Sequence, residues 1–355
     1  MKSRRTAAAF TLVELLISAG VLLLILGLLI GMTNQTQHLV ESTSQKVEQF
    51  QDSRAGFESM TRCLAQATLN TYWDYSYRTE YQTIGGKPVP IKVPDRYLRT
   101  ADLRFRSGPM TELTGGRGPG GAVQPTHGIF FQAPNGLVAD PTRFGVLDHL
   151  MNSWGYFVEY GSDDLTLPAC LKGRVEARKR FRLLEYMEPA EQLKVYQYPG
   201  IRSNLWFAPA ISQTKRSVRV LAENVVALIL QPRFDRATEE ARKSAGKSTI
   251  LAPNYRYDTT TSSADPELNP KNQLPPVVQV TMVAIDEASA KKLAGNAALS
   301  STGIDYGELF RQPEKYATDL AAFEKQLAMG QHVAYRVFTT NVSIRGAKWS
   351  VSQQN

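Results

Sequence analysis

The chain has 355 residues, 43% of them hydrophobic and 21% charged, with a formal net charge of +8. Once an apolar N-terminal run is set aside this is an ordinary globular balance, which excludes a mostly disordered chain. A basic excess this mild names no partner, and length alone does not separate one domain from two.

Nine residues precede the apolar run, with Lys2, Arg4 and Arg5 supplying the charge. From Phe10 to about Met32 the chain is apolar and carries one ionisable group, Glu14. About 20 apolar residues cross a bilayer core as a helix. Some fifteen Leu, Ile, Val and Phe at roughly −0.3 to −0.6 kcal/mol each outweigh one carboxylate at about +2.5 to +3.5. Insertion therefore wins and takes Glu14 with it. The basic leader stays in the cytoplasm, so the chain beyond Met32 is expected outside it. A carboxylate in the membrane is a functional candidate that wants a cationic partner.

A short basic leader, a small residue, then Phe10-Thr11-Leu12-Val13-Glu14 and an apolar helix together resemble the type IV prepilin signature. The resemblance implies a prepilin peptidase cutting between Ala9 and Phe10. It also implies N-methylation of the new terminus at Phe10, and Glu14 pairing with the N-terminal amine of a neighbouring subunit during assembly. One position departs from the pattern: the residue before the cut is Ala9 where Gly is usual. An ordinary signal anchor would leave Glu14 incidental. A cleaved secretory signal fits poorly, because its apolar region is shorter and its small-residue site follows rather than precedes it. A twin-arginine reading of Ser3-Arg4-Arg5 lacks its apolar pair and misplaces its cleavage site.

Beyond Met32 the chain turns polar without a breaker. No Pro occurs before Pro88, and Gly56 is the one Gly between Met32 and Asn70. Val40, Val47, Phe50, Phe57, Met60, Leu64 and Ala67 recur at helical spacing. This predicts a single helix over residues 10–70, membrane-spanning over 10–32 and amphipathic over 33–70, about 90 Å long at ~1.5 Å per residue. The aromatic cluster Thr71–Tyr77 is expected at the core edge where this helix meets a sheet.

From about residue 100 the period becomes two. Strands are predicted at Ala101–Ser107, His127–Ala133, Gly155–Tyr160, Lys179–Tyr186, Ser217–Gln231, Val277–Ile285 and Val333–Arg345, antiparallel by default because few helix-length crossovers intervene. Gly115–Gly128 is a loop without the Lys and Ser/Thr of a phosphate cradle. Residues 233–272 begin as a helix and continue as a mobile polar loop over Asp258–Pro266. Residues 286–330 read as helical, with Leu320, Phe323 and Leu327 on one stripe. The expected fold is α+β: a leader over 1–9, a long N-terminal helix over 10–70, and an exported head over 71–355 built on a mostly antiparallel sheet with helical and loop insertions.

Little in the head carries chemistry. His38, His127, His149 and His332 sit in no metal-ligand spacing, and Asp163-Asp164 and Asp286-Glu287 lack the spaced oxygen pattern of a calcium loop. No hydrolase elbow, zinc motif or nucleotide fingerprint is present. Arg174, Arg178, Lys179, Arg180 and Arg182 are expected on a solvent-facing strand edge. An export compartment permits a bridge between Cys63 and Cys170, though two idle thiols are the preferred reading.

The order of elements resembles the large J-type minor pseudopilins of type II secretion, with Ser217–Leu230 and Leu274–Ile285 like that family's paired central strands. Over nearly the full length the chain resembles the Verru_Chthon cassette protein C family of pilin-like exported proteins, through Thr68–Tyr75, Trp154–Glu159 and Thr340–Trp349. The resemblance implies a non-enzymatic, cofactor-free subunit in the inner membrane, N-terminus cytoplasmic and head outside. Its implied partners are a prepilin peptidase and other pilin-like subunits; nucleic acid is not expected. A membrane-tethered binding protein or enzyme, with the helix only an anchor, is the alternative.

Overall fold

The computed structural model describes residues 12–145, 150–164, 167, 170–171, 173–197, 204–213, 217–294 and 299–349, with the side chains of residues 14–15, 34–49, 294 and 301 outside that description. The chain divides into two units, Met1–Gln51 and Asp52–Asn355. Helix α1 (Leu12–Leu64) supplies the described part of the first and the opening turns of the second. Its continuity follows from the absence of proline and from a glycine-poor course after Gly31.

α1 ends at Leu64, earlier than the Asn70 expected from periodicity. Tertiary bonds take the next residues. The Ala65 carbonyl accepts from the Arg345 amide, and the Thr68 amide donates to the Gln132 carbonyl, both at 3.0 Å. Asn70 then turns the chain with a left-handed φ of 48°.

Among the described residues the larger unit holds three antiparallel sheets. A two-stranded hairpin pairs β1 (Tyr72–Ile84) with β2 (Lys87–Thr100). It occupies a stretch where no strand is expected from the sequence. A six-stranded sheet is built from β3 (Arg106–Pro109), β4 (His127–Ala133), β5 (Asn152–Ser162), β6 (Lys179–Glu188), β7 (Val218–Glu223) and β9 (Tyr257–Asp258), in the order β7-β6-β5-β4-β3-β9. The third sheet places β10 (Val277–Ile285) between β8 (Val225–Arg233) and β11 (Tyr335–Ser343). The expected pairing of the central strands appears here, with Leu230 opposite Val280.

The single strand expected over Ser217–Gln231 is two strands in two sheets. Asn224 lies between them at φ 59°, the left-handed conformation that Asn tolerates better than branched residues do. Past this turn β8 lies against β4, β5 and β6. Phe130 of β4 stacks on Phe207 at 3.8 Å, with Trp206 edge-on at 6.3 Å, in a buried aromatic cluster.

β8 is an edge strand whose outward groups are answered by side chains. The Leu228 amide donates to Thr126 Oγ1 at 3.2 Å, the Leu230 amide to His127 Nδ1 at 3.1 Å, and Tyr306 Oη donates to the Val226 carbonyl at 2.9 Å. Buried backbone polar groups need such partners, and an edge so covered cannot recruit another strand.

The helices are α2 (Met110–Leu113), α3 (Pro141–Phe144), α4 (Ala208–Ser212), α5 (Arg236–Ser244), α6 (Glu287–Ala294) and α7 (Tyr316–Lys325). α5 and α7 fall where periodicity predicts, with Phe323 and Leu327 fully buried. The segment expected as a mobile polar loop over Asp258–Pro266 begins packed, with Ser262 and Ala264–Pro266 exposed beyond. Tyr257–Asp258 pairs with β3, and Thr259 Oγ1 accepts the Phe105 amide at 3.0 Å. The strand expected over Ala101–Ser107 is confined to Arg106–Pro109, with Leu103, Arg104 and Phe105 all buried rather than alternating.

Candidate functional site

Ala9 and Phe10 lie outside the described residues. Glu14 lies in the first turns of α1, its side chain outside the description. Leu16–Thr33 is long and apolar enough to cross a membrane by length and composition, and none of it is buried against the protein. Leu12 is 78% exposed and Leu23 69%, with Ile17, Leu24 and Leu28 comparably open. A helix apolar on every side is unstable in water and belongs in a bilayer or a large core. The N-terminal helix therefore has the make-up of a membrane anchor or a signal sequence.

The last turns of α1 are built into the head. Phe57, Met60 and Leu64 are buried, and the Phe57 ring lies 5.9 Å from Phe338 on β11. Gly56 permits close approach to β7, because a Cβ there would sit 3.1 Å from Ala222 Cβ and 3.2 Å from the Leu221 carbonyl oxygen. Cys63 is also buried, its Sγ accepting from Asn135 Nδ2 at 3.4 Å. Beside it Tyr156 Oη donates to Glu185 at 3.0 Å, and Glu185 is paired with Arg219. Burial pushes the Cys63 thiol up to about 11 and raises the Tyr156 phenol as well. A nucleophilic thiol needs the opposite shift, so this cluster fastens a helix to a sheet. Cys170 is exposed, and both cysteines are free thiols.

The basic run divides: Arg174 and Arg178 are exposed ahead of β6, but the residues on the strand form no solvent-facing edge. β6 is an interior strand, and Arg180 and Arg182 are buried on it. Arg180 binds Glu223 and Glu287, each at 2.8 Å, tying the β7–β8 turn and the start of α6 to β6. Arg182 donates to the Ser162 carbonyl at 2.7 Å. The alternation expected from sequence fails because both strand faces are covered.

Three of the four acidic side chains in the two pairs serve the fold. Asp163 Oδ1 accepts the Arg178 amide at 2.7 Å, buried Asp286 caps α6 through the Ser289 amide at 2.9 Å, and Glu287 is held by Arg180 and Asn224. Among the described residues no three His, Cys, Asp or Glu converge in a metal-binding group. A cavity of about 610 Å³ opens beside β3 and β9. Its wall charges pair with one another, Arg106 with Asp258 at 3.3 Å and Arg256 with Glu112, leaving no converging charge for a ligand.

The hairpin is the feature that sequence reasoning misplaced. Tyr72 to Tyr77 do not line the core edge. Trp73 is 42% exposed, Tyr75 and Tyr77 54%, and Tyr81 73%. Tyr97 lies across from Tyr75 and stacks on Trp73 at 5.2 Å. The legible signals were the alternation Tyr72, Asp74, Ser76 against Trp73, Tyr75, Tyr77, and the Gly85-Gly86 pair that punctuates it.

No known protein family, curated protein or solved structure matches this chain.

Proposed function

We propose that the chain is a pilin-like minor subunit. A prepilin peptidase removes residues 1–9, Phe10 becomes a methylated N-terminus, and the apolar helix holds the subunit in the inner membrane with its head outside. The subunit then joins other pilin-like subunits in an envelope-spanning assembly, as in type II secretion or type IV pili. It acts as a structural component, without catalysis or cofactor.

The observation that carries this reading is the run Ala9-Phe10-Thr11-Leu12-Val13-Glu14 at the head of an apolar helix whose far end is built into an antiparallel head. Glu14 is the one ionisable group in that apolar run. Such a group persists in a membrane when it has a counter-charge, and a neighbour's N-terminal amine supplies one. Support from the head is indirect: its buried polar groups cap helices, cover edges and join sheets.

Intact-mass measurement of the protein from cells carrying a prepilin peptidase tests the reading. The expected mass lacks residues 1–9 and includes one added methyl group on Phe10. An uncut N-terminus would favour the tethered binding protein or enzyme instead.

A further inference from the structure

The two edges of the hairpin are built differently. Gly85 and Gly86 form a two-residue turn with φ of 60° and 79°, so the closing pair Ile84 and Lys87 exchanges hydrogen bonds and alternate pairs from there do not. Thr83, Tyr81, Thr79 and Tyr77 on β1 therefore aim their backbone groups outward, as do their partners Pro88, Pro90, Lys92 and Pro94 on β2. Three of the four outward positions on β2 are prolines with no amide to offer, and the fourth is a lysine. That edge is closed to further pairing.

The β1 edge has no such protection. Its outward amides from Tyr77 to Thr83 have no partner among the described residues, and the strand is exposed apart from half-buried Ser76. β8 differs: the Leu228 and Leu230 amides and the Val226 carbonyl on its outward edge are answered by side chains.

We propose that this edge pairs with the β1 edge of a second copy, giving a two-fold, four-stranded sheet in the order β2-β1-β1-β2. The pairing is closed because the prolines of β2 end it on both sides. It rests on the hairpin alone and is independent of the pilin-like reading.

Charge selects the register. Outward residues must face outward residues, so the two-fold axis passes through a residue position of β1 rather than between two. An axis at Arg78 or at Glu80 sets that charge directly against its own copy, which is unfavourable. With the axis at Thr79, Arg78 of each copy faces Glu80 of the other, and Tyr77 faces Tyr81. With the axis at Tyr77, Glu80 faces Asp74, a like-charge clash; at Tyr81, Arg78 faces Ile84 and loses its counter-charge. Within one copy Arg78 and Glu80 already pair at 2.6 Å and are well exposed, so both are available at this edge. Opposite charges directly across an antiparallel pair are favourable and like charges are not.

The test is disulfide trapping of the full chain, purified in detergent, in a Cys170→Ser background that leaves only buried Cys63. Thr79→Cys should give a covalent dimer, because the two Cα atoms would lie about 5.5 Å apart, within bridging range. Thr83→Cys should not, because its two copies would lie roughly 27 Å apart along the strands. Adding Glu80→Arg to Thr79→Cys should reduce trapping about tenfold, and Arg78→Glu with Glu80→Arg should restore it. No dimer at position 79, equal trapping at 83, or indifference to charge reversal would each overturn the proposal.

Discussion

His127 shows how one buried side chain can do structural work that sequence spacing cannot announce. Nδ1 accepts the Leu230 amide at 3.1 Å, so the proton sits on Nε2 and is given to the Phe310 carbonyl at 3.0 Å. The ring lies 4.6 Å from that of Tyr255, and the nearby Asp319 carboxylate is engaged with the Phe310 amide at 2.9 Å. Burial lowers the imidazole to about 4. An unfolded His takes up its proton near pH 6.5, so between these values the unfolded chain binds more protons and stability falls as pH falls. The loss should begin below about pH 6.5, level off below about 4, and amount to roughly 3 kcal/mol. Urea unfolding, followed by the emission of buried Trp154 and Trp206, checks it. The difference between wild type and His127→Asn should shrink as pH drops through that window, and a constant difference would refute the assignment.

Among the elements, the end of α1 is the most constrained. Its glycine reads from sequence as a minor flaw in a helix, yet a Cβ at Gly56 would meet β7 at 3.1 Å. Gly56→Ala gains about 1 kcal/mol of helix propensity, offset by the tight contact, so a net change under about 1 kcal/mol is expected. Gly56→Leu has nowhere to place its side chain and should destabilise the head by about 1–3 kcal/mol. The same urea transition reads both variants. If the Gly56→Leu variant were as stable as the parent, helix and strand would have to separate freely.

For the whole molecule, the proposed assembly turns on Glu14. Glu14→Ala should leave membrane insertion intact, since it only makes the helix more apolar. It should remove the subunit from its complex, because an N-terminal amine left without its counter-charge in an apolar setting costs about 3–5 kcal/mol. Glu14→Asp should fall between the two, the charge being kept at shorter reach. Co-purification of crosslinked neighbours at matched expression measures this. Unchanged recovery for Glu14→Ala would make the carboxylate incidental and the helix an ordinary anchor.

The apolar N-terminal helix and the strands at His127–Ala133 and Val277–Ile285 were legible in the sequence, because composition and periodicity are local properties. So was the α+β, antiparallel character of the head. What only the tertiary structure decided depends on partners distant in the chain. Ser217–Gln231 reads as one strand, but the turn at Asn224 sends its halves into different sheets. Arg180 and Arg182 read as surface charges, but Glu223, Glu287 and backbone carbonyls bring them inside. The aromatics after α1 read as core because large rings are usually buried. They lie instead on a hairpin that no other strand among the described residues pairs with, and no local pattern states which faces the rest of the chain leaves open.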